Sequence, residues 1–95
     1  MTDISATLQQ RGTRYGEFKG HAIITQALKD LMARTDNWKL LAPDQKEALE
    51  MIVHKIGRVL NKGGDPNYDD SWVDMAGYAK LVADRLQKEQ SVKSG

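Results

Sequence analysis

The chain has 95 residues, no cysteine and a formal net charge of +1, with 14 basic and 13 acidic residues interspersed. Those figures allow one helical domain over 1–95 and exclude disulfides, zinc ribbons and thiol nucleophiles. They also argue against DNA, RNA or a membrane as partner, because no run of Lys and Arg supplies a basic surface. No stretch approaches the roughly 20 apolar residues that cross a bilayer, and the polar residues 1–10 lack the apolar centre of a secretion signal, so a cytoplasmic protein is expected. Leu, Ile, Val and Phe make up about a fifth of the chain. A core that lean is commonly completed by self-association, and a homo-oligomer is expected.

In chain order, residues 2–10 suit a short helix capped by Thr2 or Asp3, with Ile4 and Leu8 on one face. Gly12 and Gly16 interrupt it. Residues 18–34 predict a second helix with Ile24, Leu28, Leu31 and Met32 as its apolar stripe. His21 shares that stripe and reads as a packed or interface histidine. Trp38, Leu40 and Leu41 are expected to anchor the next connection. Pro43 opens the clearest helix, since a first helical position has no use for the missing N–H. On its wheel Ala48, Leu49, Ile52, Val53, Ile56, Val59 and Leu60 form one arc, with Glu47, Glu50, His54, Lys55 and Arg58 opposite. Asn61-Lys62-Gly63-Gly64 stops it.

Asp65-Pro66-Asn67-Tyr68 is a turn by composition. Asp69 or Asp70 then caps a last helix running to about residue 88, whose core stripe is Trp72, Met75, Ala76, Ala79, Val82, Ala83 and Leu86. Residues 1–3 and 89–95 are expected to fray. No segment alternates with the two-residue period of a strand. The expected fold is all-α, a compact bundle of about four helices: a short N-terminal one and three longer ones.

Candidate chemistry lies on the polar faces. Asp70 and Asp74, at i, i+4, could hold one divalent ion, or could simply favour a helix N-terminus through its dipole. Gly77 and Tyr78 share that face, and Gly77 would admit a ligand or another helix at close range. Glu47 and Glu50 form an E-x-x-E pair; were it to meet Asp70 and Asp74, four carboxylates would make an oxygen-rich site suited to Mg²⁺. Lys55 and Arg58 could then take phosphate oxygens. Arg11, Arg14 and Tyr15, among flexible glycines, are the parts of a nucleotide contact, and equally those of a solvated turn.

Three segments together resemble a family of small phage and prophage proteins of unknown function. They are Arg11-Gly12-x-x-Tyr15-Gly16-x-Phe18, Glu47-Ala48-Leu49-x-Met51-Ile52-x-x-Lys55-Ile56-x-Arg58, and Asp70-Ser71-Trp72-x-Asp74-x-x-Gly77-Tyr78. The similarity spans roughly residues 7–86. That family is in turn distantly similar to the all-α, MazG-like nucleotide pyrophosphohydrolases, helical-bundle oligomers that use E-x-x-E and acidic residues of the next helix to bind Mg²⁺. The resemblance implies Glu47, Glu50, Asp70 and Asp74 as the metal-binding and catalytic set. Around it, Arg11, Arg14, Lys55 and Arg58 would contact phosphate, and Tyr15 or Tyr78 would stack on the base. The chain departs from the hydrolase pattern in lacking the doubled glutamate, in using Asp in the second motif, and in carrying His54, Lys55 and Arg58.

Beside a plain helical interaction module, which needs no pocket, two readings follow. One is a phage-type Mg²⁺-dependent nucleoside triphosphate pyrophosphohydrolase acting in the host cytoplasm. The other is a non-catalytic anti-defence protein that sequesters a nucleotide signal, cyclic or otherwise, or binds a host defence protein. Neither fold nor resemblance chooses between them.

Overall fold

The computed structural model describes residues 4–5 and 15–94, and these are helical apart from short connections. Ile4 and Ser5 are helical, while most of the expected first helix lies outside the described residues. Helix α1 (Phe18–Ala33) is followed by a 3₁₀ turn (Asp36–Leu40), then by α2 (Pro43–Leu60) and α3 (Asp70–Ser94). Pro43 occupies the first turn of α2 as expected, and the backbone N–H of Ala42 donates to Oε1 of Gln45 at 2.8 Å, closing one orphan donor of that turn. The last helix outruns its expected end. Residues 89–94 hold no glycine or proline, and Arg85 pairs with Glu89 across one turn at 3.1 Å, so nothing stops it before Ser94. Leu40, expected as an anchor, is 78% exposed, while Trp38 and Leu41 are half-buried.

The three helices form a layer with α2 in the middle. Both α1 and α3 pack on α2 and make at most a passing contact with each other. The two flanks of α2 differ chemically. Toward α1 it presents Val53 and Gly57; a Cβ on Gly57 would lie 2.7 Å from Cγ2 of Thr25 and 2.9 Å from Cε1 of His21, so only glycine permits this approach. Thr25, 2% exposed, is the most buried residue of α1. Toward α3, α2 presents Ala48 and Lys55. Lys55 is buried, and its Nζ lies 3.0 Å from Oδ2 of Asp74. Farther along, Nε of Arg85 donates to Asp44 Oδ2 at 2.9 Å, joining the middle of α3 to the first turn of α2.

This packing corrects the expected roles of two faces. On α3 the side turned to α2 carries buried Ser71 and half-buried Asp74, Tyr78 and Val82. Trp72, Ala76, Ala79 and Ala83, expected in the core, are exposed. Lys55, expected on a solvated face, is the buried partner that draws Asp74 inward. The indole N–H of Trp72 donates to the carbonyl of Pro66 at 3.0 Å, fixing a ring that is still 54% exposed.

Among the described residues, the buried apolar core consists of Ala48 and Val53. The remaining apolar residues of α2 have a different destination. Leu49, Ile52, Ile56 and Leu60 fall on the side of α2 that lies between its two flanks, where neither neighbour covers them fully. The antiparallel neighbours turn their own stripes to the same side: Ile24, Leu28 and Leu31 from α1, and Met75, Ala79 and Leu86 from α3. One side of the layer therefore carries these apolar stripes, while Phe18, Ile23, Val73 and Leu81 are exposed outside them. Among the described residues no helix is long and apolar enough to cross a membrane.

The Lys55–Asp74 pair should be stabilising through what its loss exposes. Asp74→Ala strands a buried ammonium, softened because Asp74 itself meets water, and should cost about 1–2 kcal/mol in urea denaturation. Adding Lys55→Met should recover most of that loss; a neutral Asp74→Ala would show the pair to be superficial.

Candidate functional site: a cationic face on α1 and α2

On the polar side, the residues flanking the α1–α2 crossing project together. In α1, His21, Thr25 and Lys29 stand at i, i+4, i+8; in α2, His54 and Arg58 stand at i, i+4. The Gly57 contact brings these rows together. His21 and His54 stack with ring centroids 5.8 Å apart and planes at 26°. Nζ of Lys29 lies 2.9 Å from Nε2 of His54. An ammonium has only donors, so this contact is a hydrogen bond when Nε2 accepts and the ring proton sits on Nδ1. Nδ1 of His21 is buried without a hydrogen-bond partner.

Next to the histidines the Arg58 guanidinium lies over the Tyr15 ring, 4.4 Å from its centroid, and the Tyr68 ring stands 6.2 Å from Tyr15 at 51°. Tyr15 is held by α2 itself. The buried side chain of Asn61 donates from Nδ2 to the carbonyls of Tyr15 at 2.9 Å and Glu17 at 2.8 Å. Gly16 adopts φ +79°, and a Cβ there would meet Asn61 Nδ2 at 2.7 Å, so the glycine is required on both counts. An isolated antiparallel bridge between Tyr15 and Gly64 completes the junction.

The electrostatics of this face are one-sided. Burial lowers the pKa of His21 from its ordinary 6.5, and the nearby His54, Arg58 and Lys29 lower it further, opposed by the Gly57 backbone. Burial likewise lowers that of His54, helped by Lys29, Arg58 and Lys55 and opposed by Glu50. Among the described residues neither Lys29 nor Arg58 forms an ion pair with a carboxylate. Among the described residues, two permanent cations and two imidazoles thus share a surface where Glu50 acts on His54 and no carboxylate pairs with either cation.

The expected site residues divide between places. Arg58 and Tyr15 meet. Lys55 and Asp74 meet each other across the α2–α3 flank, which uses both for packing. Tyr78 is half-buried one turn beyond Asp74, Asp70 is exposed at the first residue of α3, Glu47 is exposed, and Glu50 is half-buried beside His54. Among the described residues no three of His, Asp and Glu form a group able to hold a metal ion. Among the described residues Gly77 has no neighbour within 4 Å of a would-be Cβ, so none of the described helices approaches it there. Arg11 and Arg14 lie outside the described residues. Lys29 and Asn61 were not singled out by the sequence. The signal for Lys29 was its place in the polar row His21-Thr25-Lys29; for Asn61 nothing local distinguished a latch from a helix stop.

What the fold and this surface define is an all-helical protein with a cationic, aromatic-edged face. The chain belongs to the family described as a domain of unknown function (DUF6378), whose model matches residues 3–86. No curated protein and no solved structure matches it.

Depressed histidine pKa values have a signed consequence. Below pH 6.5 the unfolded chain takes up protons that the folded His21 and His54 still refuse, so stability is full above that pH and declines beneath it. The melting temperature should fall between pH 7 and pH 5.5, and His54→Gln should flatten the decline. An unchanged slope in that variant would count against this assignment.

Proposed function

We propose that this protein binds a nucleotide, or a small nucleotide-derived phosphate ester, without hydrolysing it. The observation that carries the reading is the cluster of Lys29, Arg58, His54 and His21, in which no carboxylate pairs with Lys29 or Arg58 among the described residues, with the Tyr15 and Tyr68 rings at its edge. A phosphate would supply the missing negative charge, with Arg58 and Lys29 as donors and the imidazoles charging as the anion arrives. The tyrosine rings offer π surface to a base. Hydrolysis would ask for a metal held among Glu47, Glu50, Asp70 and Asp74, and two observations weigh against it: Asp74 is engaged by Lys55, and Glu47 and Asp70 are exposed on different helices. The resemblance to phage proteins supports placing such binding in anti-defence, where a phage gains by sequestering a host nucleotide signal.

Calorimetry with linear and cyclic nucleotides in EDTA tests this. Binding without metal is expected, and Arg58→Ala or Lys29→Ala should each weaken it tenfold or more, about 1.4 kcal/mol. Glu47→Gln and Asp70→Asn should leave affinity within twofold. Absence of binding to every nucleotide would remove the reading. Pyrophosphate release that needs Mg²⁺ and disappears in Asp70→Asn would replace it with the hydrolase.

A further inference from the structure

We propose that Asn61 and Tyr15 are positioning residues for the phosphate site: Asn61 fixes Tyr15, and the Tyr15 ring holds the Arg58 guanidinium in place before any anion arrives. The proposal rests on the reading of this face as one that binds phosphate. A long arginine side chain has many rotamers, and freezing it at the moment of binding costs affinity. A carboxylate can restrain such a side chain, but it also spends the positive charge. Among the described residues no carboxylate pairs with Arg58, and its guanidinium carbon lies 4.4 Å from the centroid of the Tyr15 ring. An aromatic face orients a cation without neutralising it, so the charge stays available to a phosphate.

The ring can serve as such a rest only if it is itself fixed, and the last turn of α2 fixes it. The backbone N–H of Asn61 donates to the carbonyl of Gly57 at 3.0 Å, which ties Asn61 to the turn that carries Arg58. From there the buried side-chain amide reaches the carbonyls of Tyr15 and Glu17. With two hydrogens and two acceptors, Nδ2 has its donors matched in one orientation. Glycines make the approach possible. A Cβ at Gly20 would lie 2.5 Å from Oδ1 of Asn61, so α1 admits the amide only because that residue is bare. A Cβ at Gly64 would lie 2.9 Å from the carbonyl oxygen of Arg58 and 3.1 Å from that of Tyr15. The backbones that carry guanidinium and ring therefore close on each other at that glycine. Ending α2 asks for none of this, since Gly63 at φ +86° already turns the chain. Latch, ring and guanidinium form one series of contacts, and it ends on a cation of the proposed site.

Arginine side-chain NMR on the ligand-free protein, with calorimetry against inorganic pyrophosphate, tests it. In the wild type the Arg58 Nε–H order parameter should approach the value of about 0.85 typical of rigid backbone, and in Tyr15→Leu it should fall below about 0.6. Tyr15→Phe, which keeps the ring, should rescue it. Pyrophosphate carries no base, so its affinity reports on the cations and not on stacking. That affinity should weaken about three- to tenfold in Tyr15→Leu and recover in Tyr15→Phe. Asn61→Ala should weaken it by a similar factor, with no further loss when it is combined with Tyr15→Leu. If Asn61→Ala does not fold, the two Tyr15 variants decide alone. An Arg58 side chain equally mobile in wild type and Tyr15→Leu overturns the proposal, as does a failure of Tyr15→Phe to rescue. So does a loss confined to nucleotides with pyrophosphate unaffected, which would make Tyr15 a base contact. A wild type that binds neither pyrophosphate nor any nucleotide removes the phosphate reading itself, and this proposal with it.

Discussion

The absence of a side chain at Gly57 is the constraint on which the polar face depends. Because nothing but backbone occupies that point of α2, α1 can lie close enough to place His21 and Thr25 directly against it. A consequence is that two rows of side chains, His21-Thr25-Lys29 and His54-Arg58, share one strip instead of being separated by a wider interhelical gap. The second constraint acts at the same end of the helix pair. Asn61 spends its side-chain amide on carbonyls 44 and 46 residues earlier in the chain, which fixes Tyr15 under Arg58. Packing and function are therefore one arrangement here: the contacts that close the α1–α2 pair also concentrate positive charge.

The opposite flank of α2 works differently. There the close-packed group is a charged one, Lys55, and its burial is tolerable because Asp74 meets it at 3.0 Å. That pairing dictates how α3 is rotated about its axis. With Asp74 turned inward, Tyr78 and Val82 follow at helical spacing, and Trp72 and the alanines are carried to the side and outward. Two ion pairs, Lys55–Asp74 and Arg85–Asp44, thus tie one face of a 25-residue helix to α2.

Much of the backbone was legible in the sequence. Pro43, the glycines at 63 and 64 and the acidic pair at 69 and 70 give helix starts and stops close to those observed, because local chemistry at helix ends sets them. The stripes were legible too, as lists of residues sharing a face. Their burial was not, since periodicity says which residues lie together and nothing about what covers them. Leu31 and Leu60 belong to clear apolar arcs and still face outward, because the layer that would cover them is not formed by these helices. The candidate site divided along the same line. Arg58 and Tyr15 were found through residue type and spacing, whereas Lys29 becomes relevant only once α1 crosses α2 near His54. Lys55 was misread because a lysine opposite an apolar arc looks solvated; that an aspartate from another helix waits there is a tertiary fact.

The two tryptophans occupy unlike surroundings, and this gives the molecule its own optical readout. Trp38 is half-buried in the 3₁₀ turn, with Nζ of Lys46 5.8 Å from its ring centroid. Trp72 sits at the margin of the apolar stripes, its N–H held by Pro66 and much of its indole in water. Whatever covers that margin will strip water from the more exposed indole, that of Trp72. Intrinsic fluorescence can therefore follow the covering event without a label, as a blue shift in the part of the emission that Trp72 contributes.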